Sequence, residues 1–184
     1  MKITTKTILV SALTSLSAFF AVFSVSCNTD RCKTIVCANR GICNAGSCTC
    51  PEGYEGTNCE TETRKKFTGN WHVFEKGSNS LARSYDITIV NGEGITFVNI
   101  YNFYNKYDTT AVRAYVDGLR LIIPVQRLQG KVLFGDGEIF STTTYNQYSG
   151  LTMRYLVQDS ITNIKDDFGF ESNIDFSEPS QWNK

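Results

Sequence analysis

Histidine is nearly absent from this chain of 184 residues, and cysteine does not occur after Cys59. The one histidine, His72, would need a nucleophile and an orienting acid within hydrogen-bond reach to act as a general base. No serine stands in a nucleophile elbow, and the sequence has no glycine-rich phosphate loop or dinucleotide fingerprint. These absences predict a protein that is not an enzyme and that uses no cofactor.

Pairs of carboxylates deserve a separate test, because two acidic side chains flank the scissile bond in glycosidases. The candidates are Asp166, Asp167 and Glu171, in a turn-like stretch, and Glu138, beside a glycine. Acidic side chains in turns are usually exposed to water. We therefore expect these four residues to be solvated and not catalytic.

The charge balance excludes one class of partner. The chain has 18 basic and 18 acidic residues, so its formal net charge is zero. Cleavage after Ser26 would remove Lys2 and Lys6 and no acid, so that 18 − 2 = 16 basic residues face 18 acidic ones, a net charge of −2. Binding to nucleic acid depends on a concentrated basic face. We expect no nucleic-acid partner.

The first 26 residues are typical of a secretory signal peptide. Two lysines open the chain, an apolar run with small residues follows from Ile8 to Val25, and no acidic residue precedes Asp30. The alternative is a membrane-spanning helix, which needs about 20 strongly apolar residues. Serine and threonine interrupt the run too often for that. We predict that residues 1–26 direct export.

The first cysteine, Cys27, makes the number of cysteines odd. Seven cysteines occur between Cys27 and Cys59, and an odd number in an exported chain leaves one without an intramolecular partner. The stretch Phe23-Ser24-Val25-Ser26-Cys27 resembles the lipobox of bacterial lipoproteins, although Ser24 stands where that family usually has an aliphatic residue. The resemblance implies that Cys27 is acylated, with residues 27–31 as the lipidated N-terminus at the bacterial envelope, and we expect the outer membrane. The alternative is cleavage elsewhere with Cys27 as a free thiol.

Residues 32–60 hold the other six cysteines, separated by four, five, four, one and eight residues. They include so few large apolar side chains that they cannot build a core without staples. The spacing, with the motif from Cys48 to Tyr54 followed by Gly56 and Cys59, resembles an epidermal growth factor-like (EGF-like) module. The resemblance implies three disulfide bonds: Cys32–Cys43, Cys37–Cys48 and Cys50–Cys59.

Metal binding by this module is the competing interpretation. Zinc sites favour paired C-x-x-C knuckles, and these are absent. Calcium requires six or more oxygen ligands, whereas Arg31 precedes the first module cysteine and the loop from Asn44 to Ser47 is short. We expect no metal here.

The chain changes character after the module. Residues 61–66 are polar and are predicted to form an exposed linker, and residues 67–184 are long enough for one domain with its own core. Period-two alternation predicts half-buried strands, and the regular spacing of about eight of them is typical of an all-β antiparallel barrel or sandwich. The alternating segments are 85–89, 112–116, 119–121 and 151–157, with turns predicted at 91–94, Asp117-Gly118 and Asp136-Gly137.

The start of this domain narrows the architecture. Phe67-Thr68-Gly69-Asn70-Trp71 resembles the G-x-W that opens the first strand of lipocalins and lipocalin-like up-and-down barrels. In those barrels an arginine from a late strand covers the tryptophan, and Arg154 is the candidate for that place. The resemblance leaves open whether the barrel encloses a cavity or is filled by side chains.

Tyrosines beside amide side chains form the one unusual surface pattern. Tyr101, Tyr104 and Tyr107 alternate with asparagines, and Tyr145 and Tyr148 repeat the pattern. A tyrosine ring offers area for stacking and its hydroxyl a hydrogen bond, which suits contact with a sugar or a protein. The first three residues are our candidate binding face. The alternative is that they are ordinary aromatic strand residues.

Together these features lead to one hypothesis for the whole chain. It is an exported, membrane-anchored lipoprotein that binds a protein or a glycan without catalysis, through its module and its β domain. A lipocalin-like carrier of a small apolar ligand is the alternative. A carrier requires a void inside the barrel, a binding protein requires exposed tyrosines, and an enzyme requires polar groups converging near His72.

Overall fold

A computed structural model of the chain describes residues 31–141, 148–171 and 177–184. The predicted signal peptide, Cys27 and Tyr145 lie outside the described residues. In the described part of the chain, no helix is long and apolar enough to cross a membrane.

The module consists of two small antiparallel hairpins. β1 (Ile42–Asn44) pairs with β2 (Ser47–Thr49), and β3 (Tyr54–Glu55) pairs with β4 (Thr61–Glu62). Three disulfides hold these hairpins together, and they have the pairing that the EGF-like resemblance implies: Cys32–Cys43, Cys37–Cys48 and Cys50–Cys59. Cys59 is fully buried, whereas the other five cysteines of the module are half-buried.

The predicted linker is wrong, because residues 61–66 are ordered and partly buried. β4 belongs to the module, and a 3-10 turn (Thr63–Lys66) leads directly into the barrel. Arg64 in this turn is only 9% exposed. Its Nη1 donates to the carbonyl oxygens of Gly92, Gly94 and Phe97 at 3.2, 2.6 and 3.2 Å. The guanidinium therefore ties the turn to the barrel.

The remaining strands form a closed antiparallel barrel of eight staves, with each strand paired to its neighbour in sequence through most of the chain. This confirms the all-β barrel among the two predicted architectures. The strands are β5 (Gly69–Glu75), β6 (Arg83–Asn91), β7 (Phe97–Tyr101), β8 (Val112–Asp117), β9 (Arg120–Leu128), β10 (Lys131–Ser141), β11 (Tyr148–Asp159), β12 (Lys165–Phe168) and β13 (Ser180–Asn183).

The last stave is split between two short strands. One part of β11, from Gly150 to Met153, pairs with β13, and another part, from Leu156 to Gln158, pairs with β12. β13 closes the barrel by pairing with β5. The loop 76–82 lies beside β12, where a neighbouring strand would otherwise pair. Ser78 N in this loop donates to Asp167 O of β12 at 2.9 Å. The barrel is thus closed by backbone pairing at one end and by a loop at the other.

Alternation places the core side chains as the sequence predicts. Along β6 the residues Tyr85, Ile87 and Ile89 are buried, while the residues between them are exposed. The predicted hairpin at Asp117-Gly118 joins β8 to β9. The predicted turn at Asp136-Gly137 is wrong, because both residues lie inside β10.

The two glycines of β10 do not form a turn, and they allow the neighbouring strand to pack closely. Gly135 and Gly137 face the interior, and an added Cβ would overlap atoms of Tyr155 and Met153 on the neighbouring strand. Large side chains from β11 therefore occupy the space that these glycines leave. Glu138 extends outward from β10, as expected for an exposed residue.

Candidate binding sites

The two ends of the barrel differ. The module end carries the loop 92–96, the turn 118–119 and the start of β5, and it packs against the EGF-like module. The far end carries the loops 76–82, 102–111 and 160–164. Sites at the two ends are therefore separated by the length of the strands.

The candidate binding face is wrong for two of its three tyrosines. Tyr104 is 8% exposed and Tyr107 is 1% exposed, whereas Tyr101 is half-buried on the outer side of β7. The loop 102–111 folds back into the far end of the barrel, with Phe103 and Tyr107 bridged to each other. Positive φ at Asn102, Tyr104 and Asn105 allows that fold.

Aromatic side chains fill the barrel interior. The Phe103 ring is tilted against the Tyr155 ring with centroids 4.7 Å apart, and Tyr155 lies 4.3 Å from Phe168 in a nearly parallel arrangement. Phe103 also meets the edge of Trp182 at 6.2 Å. Among the described residues, seven large aromatic side chains of the core are less than 2% exposed: Phe67, Trp71, Trp182, Tyr107, Tyr155, Phe103 and Phe168.

The tryptophan of the G-x-W motif is buried, but its predicted partner is wrong. Arg154 is exposed on the outer side of β11. Lys184 covers Trp71 instead, with Nζ 4.7 Å from the ring centroid, and the same Nζ donates to Lys66 O at 2.8 Å. Trp71 Nε1 donates to Phe67 O at 2.6 Å. A C-terminal lysine thus does what the resemblance assigns to an arginine.

A buried carboxylate organises the far end of the interior. Glu75 Oε1 accepts from Arg83 Nε at 2.9 Å and from Tyr85 OH at 2.8 Å. Its Oε2 accepts from Tyr155 OH at 2.5 Å and from Ser180 Oγ at 3.0 Å. Four donors satisfy this carboxylate, as a buried charge requires. Burial, together with the nearby charge of Glu75, raises the pKa of the Tyr85 and Tyr155 phenols far above their ordinary value.

Two further acids contradict the prediction that they are solvated. Asp166 is 6% exposed and Asp167 is fully buried. Asp166 accepts from Tyr104 OH at 2.8 Å and from Asn79 N at 2.9 Å. The carboxylate of Asp167 accepts from backbone N–H groups at 170 and 171 and from the hydroxyl of Ser177. Both acids hold loops in place: Asp166 through donors from distant parts of the chain, and Asp167 through local donors.

Arg83 joins the two carboxylate networks. Its Nη2 lies 2.7 Å from Glu75 Oε1, although this contact lacks hydrogen-bond alignment. Its guanidinium carbon lies 4.3 Å from the centroid of the Tyr104 ring, within the range of a cation–π contact. Tyr104 in turn donates to Asp166, and burial and that carboxylate raise the pKa of its phenol. The cation is held on one side by a carboxylate and on the other by a ring.

We call the depression beside Arg83 the rim groove. It has a volume of about 520 Å³ and lies at the far end, where β5, β6 and β13 meet. Glu75 and Arg83 are the last cross-strand pair of β5 and β6. Both face inward at the end of the barrel, and they form the floor of the groove. Its other lining residues are Phe74, Lys76, Ala82, Ser84, Glu178, Pro179 and Gln181.

A second candidate surface, the outer aromatic face, lies on the outside of β7 and β8. Phe97 is opposite Tyr115, with ring centroids 6.2 Å apart, and Asn99 is opposite Arg113. The Arg113 guanidinium carbon lies 5.7 Å from the Phe97 ring centroid. Tyr101 ends the outer row of β7. The face combines rings, an amide and a cation at the surface.

His72 is not part of either surface, although it contacts Phe74 of the rim groove. It is exposed on the outer side of β5, its Nδ1 is 2.6 Å from Asp86 Oδ1, and its ring meets the edge of Phe74 at 4.5 Å. An orienting acid is therefore present beside the histidine. In the described ranges, no group of three or more histidine, cysteine or acidic side chains is arranged to hold a metal ion.

Comparison with known families identifies one part of the chain. Residues 35–62 match the family model described as a teneurin-like EGF domain. With the six-cysteine framework, this match shows an EGF-like module at the N-terminal side of the barrel. Disulfide-rich modules of this kind suggest an exported protein. A module of this kind joined to a closed β-barrel is consistent with a binding or carrier protein.

Sequence reasoning missed the rim groove although a signal for it exists. In β5 the alternation that buries Trp71 and Val73 also directs Glu75 inward, and the same phase in β6 directs Arg83 toward it. A charged residue at an inward position of an alternating strand is unusual, since buried charges need partners. That irregularity marks the floor of the groove.

Proposed function

We propose that this chain is an exported, lipid-anchored binding protein of the bacterial envelope that recognises a protein or a glycan without catalysis. Its filled barrel acts as a rigid scaffold, and the outer aromatic face carries the contact. The observation behind this proposal is that one exposed and two half-buried rings share the outside of two paired strands with an amide and a guanidinium, while the inner side of these strands is closely packed.

The cysteine count supports the proposed anchoring. The six cysteines of the module bond with one another, so Cys27 is the one cysteine outside that framework. It directly follows a lipobox-like stretch and an export signal. One acyl chain gives only reversible attachment, whereas two or more hold a protein stably at a membrane. We infer that Cys27 carries such acyl chains.

The module and the barrel present their surfaces in a fixed relation. Arg64 links the 3-10 turn to three barrel carbonyls, and one of them belongs to Phe97 of the outer aromatic face. Gly53 of the module packs against Ile95, where an added Cβ would come within 2.8 Å of the Ile95 side chain. The partner would therefore meet the outer aromatic face close to the module.

Transport of an apolar ligand inside the barrel has less support. The interior positions that such a ligand would occupy hold Trp71, Trp182 and Phe103. A carrier would need these side chains to leave a void, and close packing of this kind is typical of a filled small barrel. Binding of a partner to the outer surface requires no rearrangement of these interior side chains.

The recognition half of the proposal is tested with protein and glycan arrays probed with the full chain. We expect Phe97→Ala and Arg113→Ala to weaken binding by on the order of 2 kcal/mol each, as for central interface residues. Leu81→Ala is the matched control, because Leu81 is exposed at the far end. Equal loss in all three variants, or no bound partner on either array, would count against the outer aromatic face.

The anchoring half is tested separately by labelling cells with a tagged fatty acid. Cys27→Ala should lose the label and move the protein from the membrane fraction to the soluble fraction. A label that persists in the variant would refute acylation at this position.

A further inference from the structure

Arg83 offers hydrogen-bond donors that the protein does not use. A guanidinium has five N–H groups, and among the described residues Arg83 makes one directed hydrogen bond, from Nε to Glu75. The contact of Nη2 with the same carboxylate is close but poorly aligned, and the Tyr104 ring covers one face of the guanidinium. Nη2 is buried and out of a ligand's reach, but Arg83 lines the rim groove and its side chain is 23% exposed. We therefore expect a ligand in the groove to pair with the N–H groups of Nη1.

The guanidinium is also fixed before any ligand arrives. Glu75 holds it from the neighbouring strand, in a carboxylate network that Tyr85, Tyr155 and Ser180 complete. An arginine held in this way loses little side-chain freedom when it binds an anion, and its Nη1 N–H groups can donate charge-assisted hydrogen bonds to a carboxylate. The floor of the groove is thus preorganised for an anion.

The walls of the groove define the rest of the ligand. Lys76 adds a second cation, and it forms no ion pair with the described residues. Phe74 is half exposed and offers an apolar surface. Glu178 stands in the same lining and disfavours ligands with more than one negative charge. A volume of about 520 Å³ suits a small molecule.

We propose that the rim groove binds a small organic carboxylate with an apolar body. The carboxylate would pair with Arg83 and Lys76, and the apolar body would pack against Phe74. This site lies at the far end of the barrel, away from the outer aromatic face, so it does not depend on the proposed function. It would give the protein a second, small-molecule specificity.

The test is a titration of the isotope-labelled full chain with benzoate, followed by NMR. Backbone amide signals of residues 74–76 and 82–84 should shift with a dissociation constant at or below about 1 mM, a typical value for a small ligand. Benzamide has the same shape without the charge, and it should bind at least about tenfold more weakly because it cannot pair with two cations. Inorganic phosphate should also bind more weakly, since Glu178 repels a dianion.

Variants locate the site. Lys76→Gln should weaken benzoate by about three- to tenfold, as expected for a partly exposed charge, and Phe74→Ala should weaken it further. Arg83→Lys keeps the charge beside Glu75 but removes the Nη1 donors, so it should bind benzoate much more weakly, and a melting curve reports whether it folds. Lys65→Gln is the matched control, because Lys65 is exposed near the module.

Three results would overturn the proposal. One is the absence of any shift in these residues at about 20 mM benzoate, far above the expected dissociation constant. Another is equal affinity for benzoate and benzamide. The third is unchanged affinity in both Lys76→Gln and Phe74→Ala, two surface substitutions that leave the buried network intact.

Discussion

Tyr104 separates two views of the loop 102–111, because the sequence suggests an exposed binding residue and the structure buries the ring. Its hydroxyl donates to Asp166 at 2.8 Å, its ring lies 4.3 Å from the Arg83 guanidinium, and its edge meets Phe168 at 5.9 Å. Removal of this side chain should therefore affect stability before it affects binding.

The contacts set the expected magnitude. Tyr104→Phe removes one donor to a buried carboxylate and leaves Asp166 with the backbone N–H of Asn79, which should cost about 1.5 to 3 kcal/mol. Tyr104→Ala also removes a buried ring and its contact with Arg83, so the total should reach about 3 to 5 kcal/mol. For a domain of this size that corresponds to a fall in Tm of roughly 10 to 20 °C.

Urea and thermal unfolding of the full chain measure these values. Tyr101→Ala is the matched control, because Tyr101 is half-buried on the outer side of β7 and should cost much less. A Tyr104→Ala protein with an unchanged Tm and lost binding on the arrays would show that the ring is exposed in solution, and the reasoning from the structure would be refuted.

Three further predictions test the junction, the buried phenols and the staples. Arg64→Ala should lower the free energy of unfolding by about 2 to 4 kcal/mol in urea titrations, because a charged donor to three carbonyls is lost. The control Lys65→Ala, at an exposed position, should change that free energy little. Equal effects of the two substitutions would contradict the role of Arg64. Stability should fall as pH rises above about 10, because the unfolded chain releases the protons of its tyrosines there, while the folded state retains those of Tyr85, Tyr104, Tyr107 and Tyr155, whose phenol pKa values are raised. The slope should reach about 4 kcal/mol per pH unit or more, and Tyr155→Phe should lower it by about 1.4 kcal/mol per pH unit. A flat profile up to pH 11 would argue against the buried phenols. Reduction of the three disulfides should abolish the hydrogen-exchange protection of backbone amides in residues 32–59. The barrel amides should stay protected, since the barrel contains no cysteine. Loss of protection in the barrel strands would contradict the view that the barrel has an independent core.

The module could be derived from the sequence almost completely. The segment has too few apolar side chains for a core of its own, so it needs staples, and the resemblance of its cysteine spacing to an EGF-like module supplied the pairing. What the sequence did not reveal is where the module ends. Residues 61–66 look like a polar linker, but the methylene groups and charge of Arg64 are buried against the barrel carbonyls.

The strands were predictable because alternation is a local property. A residue such as Ile87 is buried because its neighbours two places away are buried on the same side of the sheet. Glycines in β10 were misread as a turn, because the need for them comes from Tyr155 and Met153 across the strand pair. Such a requirement cannot be seen in β10 alone.

By itself, then, the sequence determined the features that depend on neighbours along the chain: the stapled module, the alternating strands and an odd cysteine after a stretch that is typical of a signal peptide. The tertiary structure alone decided which side chains fill the ends of the barrel. Tyr104 and Tyr107 are buried because their loop folds into an open barrel end, and Asp166 is buried because Asn79 and Tyr104 supply its donors from distant parts of the chain. The physical reason is that a polar or aromatic loop residue is buried only where long-range partners exclude water and satisfy its hydrogen bonds.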